Sequence, residues 1–485
     1  MNDLEQSLRN FLNIPYDELQ KLNLEMKADR RIGKDEMYFR TKIIKYLKSE
    51  PKIKAITVCF SDIEGRLHML DYDKNFILES DDNLTFDGSS IRGFTQQSES
   101  DLRLNIDWSS FRWLPSDIFG SGKVLVFSYV KDKDGTPYKS CFRSMLRLKA
   151  QQLFTSKGLK AMVSPEIEGF LIEGVEAEQN FDENIGFKLV SKGGYYHSLP
   201  QDLLKTFIDR SAEAQRAMAF ENEKDHPEVA PSQFELNYKY AEVVEAADQI
   251  QLYKLTCRQV AKSLGCTATF LPKPLMGING SGMHLNFSLQ KGGSNIFFDK
   301  SGESNLSEDA WKIIYTTLYH AKEICLILNP SVNAYRRLDP HFEAPNEIKV
   351  SSVDRGAMVR IPIGNKNSAR FELRSVGPDA NPYMAFFTLL SLSEKALNST
   401  KKELQEFETV AGKREKLPGN IYDAIRYFKN SPMIKDILDA ENHTKYIDLK
   451  KATAHRSPRD LGKKIKNREI LDHPEIWNQM LWNEF

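Results

Sequence analysis

Six arginines between Asn333 and Asn381 are interspersed with acids rather than gathered on a face of their own. The tightest group is Arg370-Phe-Glu-Leu-Arg374, in which polar and apolar residues alternate. On a strand, Arg370, Glu372 and Arg374 would share one face. A guanidinium stays charged at working pH and binds carboxylate or phosphate through two hydrogen bonds. The segment therefore predicts a site for a strongly anionic substrate, the alternative being a salt-bridged surface strand.

Glutamates in two other segments could hold metal ions. In Pro165-Glu-Ile-Glu168 an extended chain places both acids on one side, and Glu228 and Glu235 come from a second segment. Close like charges need a cation. Together with His284 and Glu372 these acids form an oxygen-rich set that suits Mg²⁺ or Mn²⁺ better than zinc. Each pattern alone is common on solvated strands, but the whole set predicts two metal sites and phosphoryl transfer from a nucleoside triphosphate.

The run from Lys273 to Ser288 combines glycines with polar residues. Its glycines permit close backbone approach to a small ligand, and an extended chain beyond them would place His284, Asn286 and Ser288 on one face. The alternatives are an ordinary turn and a structural histidine. Gly122-Lys123 resembles the end of a P-loop, but the preceding glycine and the following hydroxyl residue of that motif are missing. Any use of ATP must therefore rely on other residues.

The amino-acid composition limits the classes of protein to which this chain can belong. The 485 residues contain 67 basic and 67 acidic side chains, so no global field favours nucleic acid or a membrane surface. The five cysteines are odd in number and never form C-x-x-C, which argues against disulfides and zinc and predicts a reducing cytoplasm. No apolar run approaches 18 residues, and the amino terminus lacks a signal-like apolar segment, so the sequence supports neither secretion nor membrane spanning.

Three regions follow from the periodicity of the chain. Residues 1–50 read as a helical, peripheral extension, and residues 51–142 as a small domain rich in strands. Residues 143–485 alternate strands with long helices, expected at 143–155, 201–220, 241–264, 307–327 and 383–407. From about residue 410 the chain becomes helical and basic. The predicted class is α+β.

Motifs in a fixed order give the chain a family likeness. They include Phe86-Asp-Gly-Ser-Ser-Ile91, Pro165-Glu-Ile-Glu168, Asn279-Gly-Ser-Gly-Met-His284 and Asn381-Pro-Tyr383. From about Lys54 to beyond Tyr383 the sequence resembles glutamine synthetases of the bacterial type I class. The resemblance implies a small β-grasp-like amino-terminal domain and a catalytic domain with a curved antiparallel sheet flanked by helices. It also implies a homo-oligomer, usually a dodecamer of two hexameric rings, with active sites between subunits.

The implied reaction joins ammonia to L-glutamate at the expense of ATP, through a γ-glutamyl phosphate, with Mg²⁺ or Mn²⁺ bound. By resemblance, the residues of one metal site are Glu168, Glu228 and Glu235, and those of the other are Glu166, His284 and Glu372. Glutamate would be bound by Asn279, Gly280, Arg337, Glu343, Arg355 and Arg374. ATP would be bound by Glu223, Asn286, Ser288, Arg355, Arg360, Lys366 and Arg370. Ammonium would be bound by Asp87 of a neighbouring subunit, Tyr195 and Glu343. The implied catalytic residues are Asp87, Glu343, Arg355 and Arg374.

Several positions depart from the type I pattern. Asn286 stands where many of these enzymes have a second histidine, and Asp339-Pro-His-Phe replaces a more familiar flap sequence before Glu343. Gln96 occupies the place of an arginine tied to feedback inhibition, and no adenylylation segment follows residue 390. Two alternatives remain: a γ-glutamyl ligase for polyamines or ethanolamine, and a non-catalytic member. Asp87 and Tyr195 favour ammonia, and all the metal-site glutamates are present.

Overall fold

The computed structural model describes residues 12–97, 100–181, 186–197, 202–338, 344–413 and 415–455. Within them the chain folds around two hydrophobic cores, a smaller amino-terminal one and a larger one that contains most of the remaining chain. Among the same residues no helix has the length and apolar character needed to cross a bilayer.

The smaller core lies beneath a six-stranded sheet, counted in the described residues. Its strands are β1 (Ala55–Ser61), β2 (Leu67–Asp73), β3 (Leu84–Asp87), β4 (Asp101–Ile106), β5 (Arg112–Trp113) and β6 (Val124–Lys131). The order is β2-β1-β6-β4-β3, with β5 beside β6 and the β1–β6 pair parallel. Lys123 leads directly into β6, so Gly122-Lys123 belongs to a turn before a strand, as the sequence indicated.

The described part of the amino-terminal extension, residues 12–50, is packed into this domain, so its description as peripheral was wrong. It forms α1 (Tyr16–Arg31) and α2 (Glu36–Ser49), whose buried residues include Met26 and Phe39 in the smaller core. The amide of Asn23 on α1 donates to the carbonyls of Trp113 and Ala217 at 3.0 and 2.9 Å. The extension therefore also joins the small domain to the larger one. Two short helices complete this region: α3 (Lys74–Ser80) and α4 (Ser116–Phe119).

The larger core supports an eleven-stranded sheet within the described residues. Its strands are β7 (Leu159–Glu173), β8 (Asn222–Pro227), β9 (Gln233–Tyr238), β10 (Ala241–Glu242), β11 (Cys266–Thr269), β12 (Met283–Lys291), β13 (Ser294–Asn295), β14 (Glu347–Ser351), β15 (Ala357–Arg360), β16 (Phe371–Leu373) and β17 (Glu415–Lys416). The main order is β17-β14-β15-β16-β12-β7-β9-β8, and every pair along it is antiparallel except β14–β15. The predicted α+β fold with a largely antiparallel catalytic sheet is confirmed.

Helices pack around this sheet. They are α5 (Phe142–Lys157), α6 (Leu203–Ala217), α7 (Val243–Ser263), α8 (Glu308–Tyr319), α9 (Ala321–Leu328), α10 (Val332–Arg337), α11 (Pro382–Asn398), α12 (Lys401–Ala411), α13 (Ile421–Asn430) and α14 (Pro432–Ala454). The helix expected at 383–407 is two helices, because Thr400 and Glu403 form a capping box that begins α12. The helix expected at 307–327 is likewise divided, at His320.

Candidate active site

Three adjacent strands bring the first group of predicted metal ligands together. In the register of β7 and β12, Glu166 lies opposite His284, and in that of β12 and β16, Asn286 lies opposite Glu372. One ligand atom from each of Glu166, His284 and Glu372 lies within 4.8 Å of the others. The His284 Nδ1 atom is 3.7 Å from a Glu166 oxygen and 3.5 Å from a Glu372 oxygen. This is the grouping that the family resemblance implied.

Glu372 is the most enclosed member of this cluster. Its side chain is 1% exposed, and its two oxygens pair with Arg360 Nη1 at 2.7 Å and Arg374 Nη1 at 2.8 Å. The alternation in Arg370–Arg374 therefore does place acid and base on one face, as predicted. The resemblance makes Glu372 a metal ligand, and its geometry also makes it the anion that holds two arginines at the site.

A second cluster forms where β7, β8 and β9 meet. Ligand atoms of His226, Glu228 and Glu235 lie within 4.8 Å of one another, and Glu168 is the cross-strand partner of Glu235. One Glu168 oxygen accepts a 2.8 Å hydrogen bond from the Gly282 amide. Two of the predicted trio, Glu228 and Glu235, are therefore gathered with His226, whereas Glu168 lies on the adjacent strand outside this compact group. The recurrence of Lys224, His226 and Glu228 at every second residue was a signal in the sequence for the addition of His226.

The acids of this second cluster oppose one another's ionisation. Burial and the charge of Glu168 raise the pKa of Glu228 to about 7. Burial also raises the pKa of Glu235 well above its usual range, with help from the charges of Glu168, Glu166 and Glu228. A divalent cation would remove this repulsion, and the donors at both clusters are carboxylate oxygens with one imidazole each, a set that fits Mg²⁺ or Mn²⁺.

Both clusters open into one cavity of about 340 Å³. The predicted site residues in its wall are Glu166, Glu168, Glu228, Glu235, His284, Glu372, Tyr195, Asn279, Gly280, Arg337, Arg355, Arg360, Arg370 and Arg374. Predicted residues that do not line it are Asp87, Glu223, Asn286, Ser288 and Lys366. Glu343 lies outside the described residues. Lys224, His226 and Gln233 line the cavity without having been predicted.

Arg337 has a free hydrogen-bonding atom at this cavity. The side chain is 5% exposed, its Nη2 donates to the Arg374 carbonyl at 2.8 Å, and its Nη1 has no hydrogen-bond partner among the described residues. Burial lowers the pKa of Arg337 to about 10. A Cβ on Gly282 would lie 2.5 Å from Arg337 Nη2 and 2.8 Å from His284 Nε2, so glycine is needed here. The site thus holds a buried guanidinium that lacks a full set of acceptors.

Asn286 links the first carboxylate cluster to an arginine instead of lining the cavity. Its amide nitrogen donates to Glu166 Oε1 at 3.0 Å, and its amide oxygen accepts from Arg370 Nε at 2.8 Å. With 4% exposure it is enclosed by these neighbours. Asn286, which stands in place of histidine, therefore supplies one hydrogen-bond donor and one acceptor. These two groups orient Glu166 and Arg370.

Of the three residues predicted to bind ammonium, the two that the structure describes occupy different surfaces. Tyr195 stacks on Tyr196, with ring centroids 3.8 Å apart, beside His226 at the cavity. Asp87 is exposed at the end of β3 and accepts hydrogen bonds from the Ser89 amide and from the hydroxyls of Ser89 and Ser90. These bonds lower the pKa of Asp87. Asp87 is therefore held as an exposed anion away from the cavity of its own chain.

Comparisons with known proteins agree with this architecture. Residues 52–133 match the model for the glutamine synthetase beta-Grasp domain, and residues 139–464 match that for the glutamine synthetase catalytic domain. Among curated relatives, glutamine synthetase of Thermus thermophilus is 33% identical over 438 residues, covering 85% of this chain and 94% of that protein. The enzyme of Staphylococcus aureus is 34% identical over 427 residues, with the same coverage of both chains.

Solved structures share the fold at lower identity. A Plasmodium falciparum glutamine synthetase superposes with a TM-score of 0.74 at 20% identity, covering 90% of this chain and 97% of that one. A GmaS/ADP complex superposes with a TM-score of 0.72 at 24% identity, covering 89% and 99%. The fold and the carboxylate-rich cavity define a ligase with a β-grasp domain ahead of a curved catalytic sheet. The chain belongs to the glutamine synthetase family.

Proposed function

We propose that this protein is an active glutamine synthetase that joins ammonia to L-glutamate with cleavage of ATP to ADP. One observation carries the proposal: two carboxylate clusters face Arg337, Arg360, Arg370 and Arg374 across a single cavity. A carboxylate is a poor electrophile, and phosphorylation gives it a leaving group that ammonia can displace. The site supplies the charges that this chemistry needs, since anionic substrates meet fixed cations and any metal ions meet carboxylates.

The side chains divide the work by position. Arg337, with Asn279 and Gly280, binds the amino acid, because its unpartnered Nη1 can donate to a carboxylate. Arg374 and Arg360 flank Glu372 and stabilise charge on the transferred phosphoryl group, together with the exposed Arg355. Bound Mg²⁺ or Mn²⁺ would neutralise phosphate oxygens and polarise the phosphoryl group.

The residues that we assign to ATP binding include Arg370, which lies next to strand β16 of the same sheet. Arg370, held by Asn286, faces the cavity and binds ATP phosphates. Glu223, Ser288 and Lys366 lie outside the cavity wall, and we assign them to the more distant parts of ATP. By family likeness we assign Glu343, which lies outside the described residues, to the protection of the acyl phosphate from water, because a competing hydrolysis would waste ATP.

The ammonium site is completed by a neighbouring subunit. Asp87 is exposed and its carboxylate is held in position by Ser89 and Ser90, which suits it to reach an adjacent cavity and accept a proton from ammonium. We propose a dodecamer of two hexameric rings on this basis and by family likeness. All five cysteines are buried and free, which supports a cytoplasmic location.

Purified protein should release phosphate from ATP in a reaction that requires glutamate, ammonia and Mg²⁺ or Mn²⁺ together. Omitting ammonia should lower the rate of phosphate release by about a hundredfold, because water is then the only nucleophile that can attack the acyl phosphate. Methylamine, ethanolamine and a polyamine serve as comparison amines, with glutamine and γ-glutamyl amides measured directly as products. A larger kcat/KM with any of these amines than with ammonia would favour the γ-glutamyl-amine ligase instead. No turnover with any amine would contradict both and leave a non-catalytic member.

Mixing two inactive variants should test the shared active site. Asp87→Ala and Glu372→Gln subunits are each expected to be inactive alone. After co-refolding or co-expression at equal amounts, about a quarter of the cavities should combine an intact Asp87 with an intact Glu372 from different chains. Activity should therefore recover to roughly that fraction of wild type. No recovery in a mixed assembly verified by mass would show that Asp87 serves its own chain or no active site.

A further inference from the structure

A second cavity, of about 570 Å³, lies between the extension, the small domain and the catalytic domain. Its wall includes Arg30 at the end of α1, Arg112 on β5, Arg143 on α5 and Gln249 on α7. It is larger than the active-site cavity, and none of the residues predicted from the sequence to bind substrate or metal lines it. The packed extension closes one of its sides.

The wall of this cavity carries an excess of positive charge. Seven basic and five acidic side chains line it. Glu245 lies 3.0 Å from Arg30, 3.8 Å from Lys27 and 4.0 Å from Arg112, and Lys27 has a closer partner in Glu221 at 3.0 Å. Arg112 is 5% exposed, and burial together with the charge of Arg30 lowers its pKa to about 9. Guanidinium groups crowded in this way are short of an anion.

Two enclosed polar groups in the same wall also lack hydrogen bonds. Arg143 binds Asp107 and Asp248 at 2.7 Å, yet its Nη1 has no partner among the described residues. Gln249 Oε1 likewise has no hydrogen-bond partner among the described residues. Both side chains are at most 3% exposed. A buried donor and a buried acceptor without partners are costly, so a ligand that offers anionic oxygens and a hydroxyl would satisfy both.

We propose that this cavity binds a small phosphate monoester that carries a free hydroxyl. The dianionic phosphate matches the surplus of two positive charges, and its three oxygens accept from several guanidinium groups at once. The hydroxyl donates to Gln249, and the ring and aliphatic atoms of Phe127, Met162 and Leu252 contact the carbon skeleton.

The cavity is connected to the active site through β7. Lys160 and Met162 line the cavity, and Glu166 and Glu168 of the metal clusters follow on the same face of that strand. Glu166 lies four residues further along the strand than Met162, a distance of about 13 Å. The bound ester contacts the strand that carries Glu166 and Glu168, and through this contact it modulates turnover. That second part rests on the proposed function, whereas binding itself does not.

Calorimetric titration of the full-length protein with glycerol 3-phosphate tests the binding. We expect saturable binding that weakens at least about tenfold in Arg112→Gln and about threefold in Lys160→Gln, whose side chain is exposed and whose loss leaves the fold intact. Arg360→Gln, which changes only the active site, should bind as wild type does. Thermal unfolding of each variant checks that it is folded.

Other results of this titration would overturn the proposal. Binding that is lost in Arg360→Gln and kept in Arg112→Gln and Lys160→Gln would place the phosphate in the active site. Equal or tighter binding of inorganic phosphate or succinate would remove the assignment to a phosphate monoester. No binding at millimolar concentrations would leave the cavity as a salt-bridged junction. If binding is confirmed but no turnover is found with any amine, the ligand site stands while the proposed function fails.

Discussion

Replacing Glu372 with glutamine should lower kcat/KM for ATP-dependent glutamine formation by about a thousandfold or more, equivalent to about 4 kcal/mol of transition-state stabilisation. The substitution keeps the size of the side chain and removes its charge. Glu372 contacts His284 in the first cluster and pairs with both Arg360 and Arg374. Its loss therefore weakens a metal site and also frees two arginines that should be fixed towards the phosphoryl group.

Measurements at different Mg²⁺ concentrations separate the weakened metal site from the loss of arginine positioning in the Glu372 substitution. Wild-type protein should be stabilised against thermal unfolding as Mg²⁺ is added, because binding to the folded state alone raises its stability. Glu372→Gln should gain less at the same concentration and need more Mg²⁺ for half-maximal rate. Glu347→Gln is a matched control, since Glu347 pairs with Lys349 on the same sheet and lies outside the cavity wall. Normal turnover in Glu372→Gln, or lost turnover with unchanged Mg²⁺ stabilisation, would contradict its assignment as a metal ligand.

Alternation along the strands made the active-site faces predictable from sequence. Arg370, Glu372 and Arg374 share a face because side chains alternate on a strand, and the same rule groups His284 with Asn286. These local rules hold wherever the chain is extended. Residue type indicated that acids sharing a face need a cation, and the family resemblance divided these acids between two metal sites.

The contacts between strands could not be predicted in the same way. Asn286 was predicted to bind ATP, but the register of β7, β12 and β16 places it between Glu166 and Arg370. These strands are far apart in the chain, and their alignment depends on the packing of the whole sheet. The resemblance indicated which residues matter, and the register determines which neighbours they orient.

The extension shows a second limit of sequence reasoning. Residues 1–50 were expected to form a peripheral element, yet Asn23 and Lys27 are buried against distant parts of the chain. A polar residue enters a core when its hydrogen bonds are satisfied there, and the partners of Asn23 are backbone carbonyls that no side-chain pattern reveals. The charged cavity beside α1 follows from that packing and left no sequence motif.

Replacing Arg337 with methionine should raise the KM for glutamate and lower kcat/KM by about a thousandfold, because a substrate carboxylate would then be buried without its cation. Its Nη1 has no hydrogen-bond partner among the described residues, so this arginine can bind a substrate carboxylate there. Arg337→Lys should recover part of the loss, since lysine restores the charge but lacks the planar pair of donors. Steady-state rates over a range of glutamate concentrations give these values.

Stability should respond to the Arg337 substitution in the opposite sense from activity. Burial lowers the pKa of Arg337 to about 10, so the folded protein without substrate bears a cost for keeping that charge enclosed. Methionine occupies similar space without that cost, and the thermal unfolding midpoint of Arg337→Met should be no lower than that of wild type. Arg336→Met, a change on the same helix outside the cavity wall, should leave the KM for glutamate unchanged. A large drop in the thermal unfolding midpoint of Arg337→Met, together with a normal KM for glutamate, would make Arg337 a structural residue. Loss of a glutamate-binding arginine must raise the KM for glutamate.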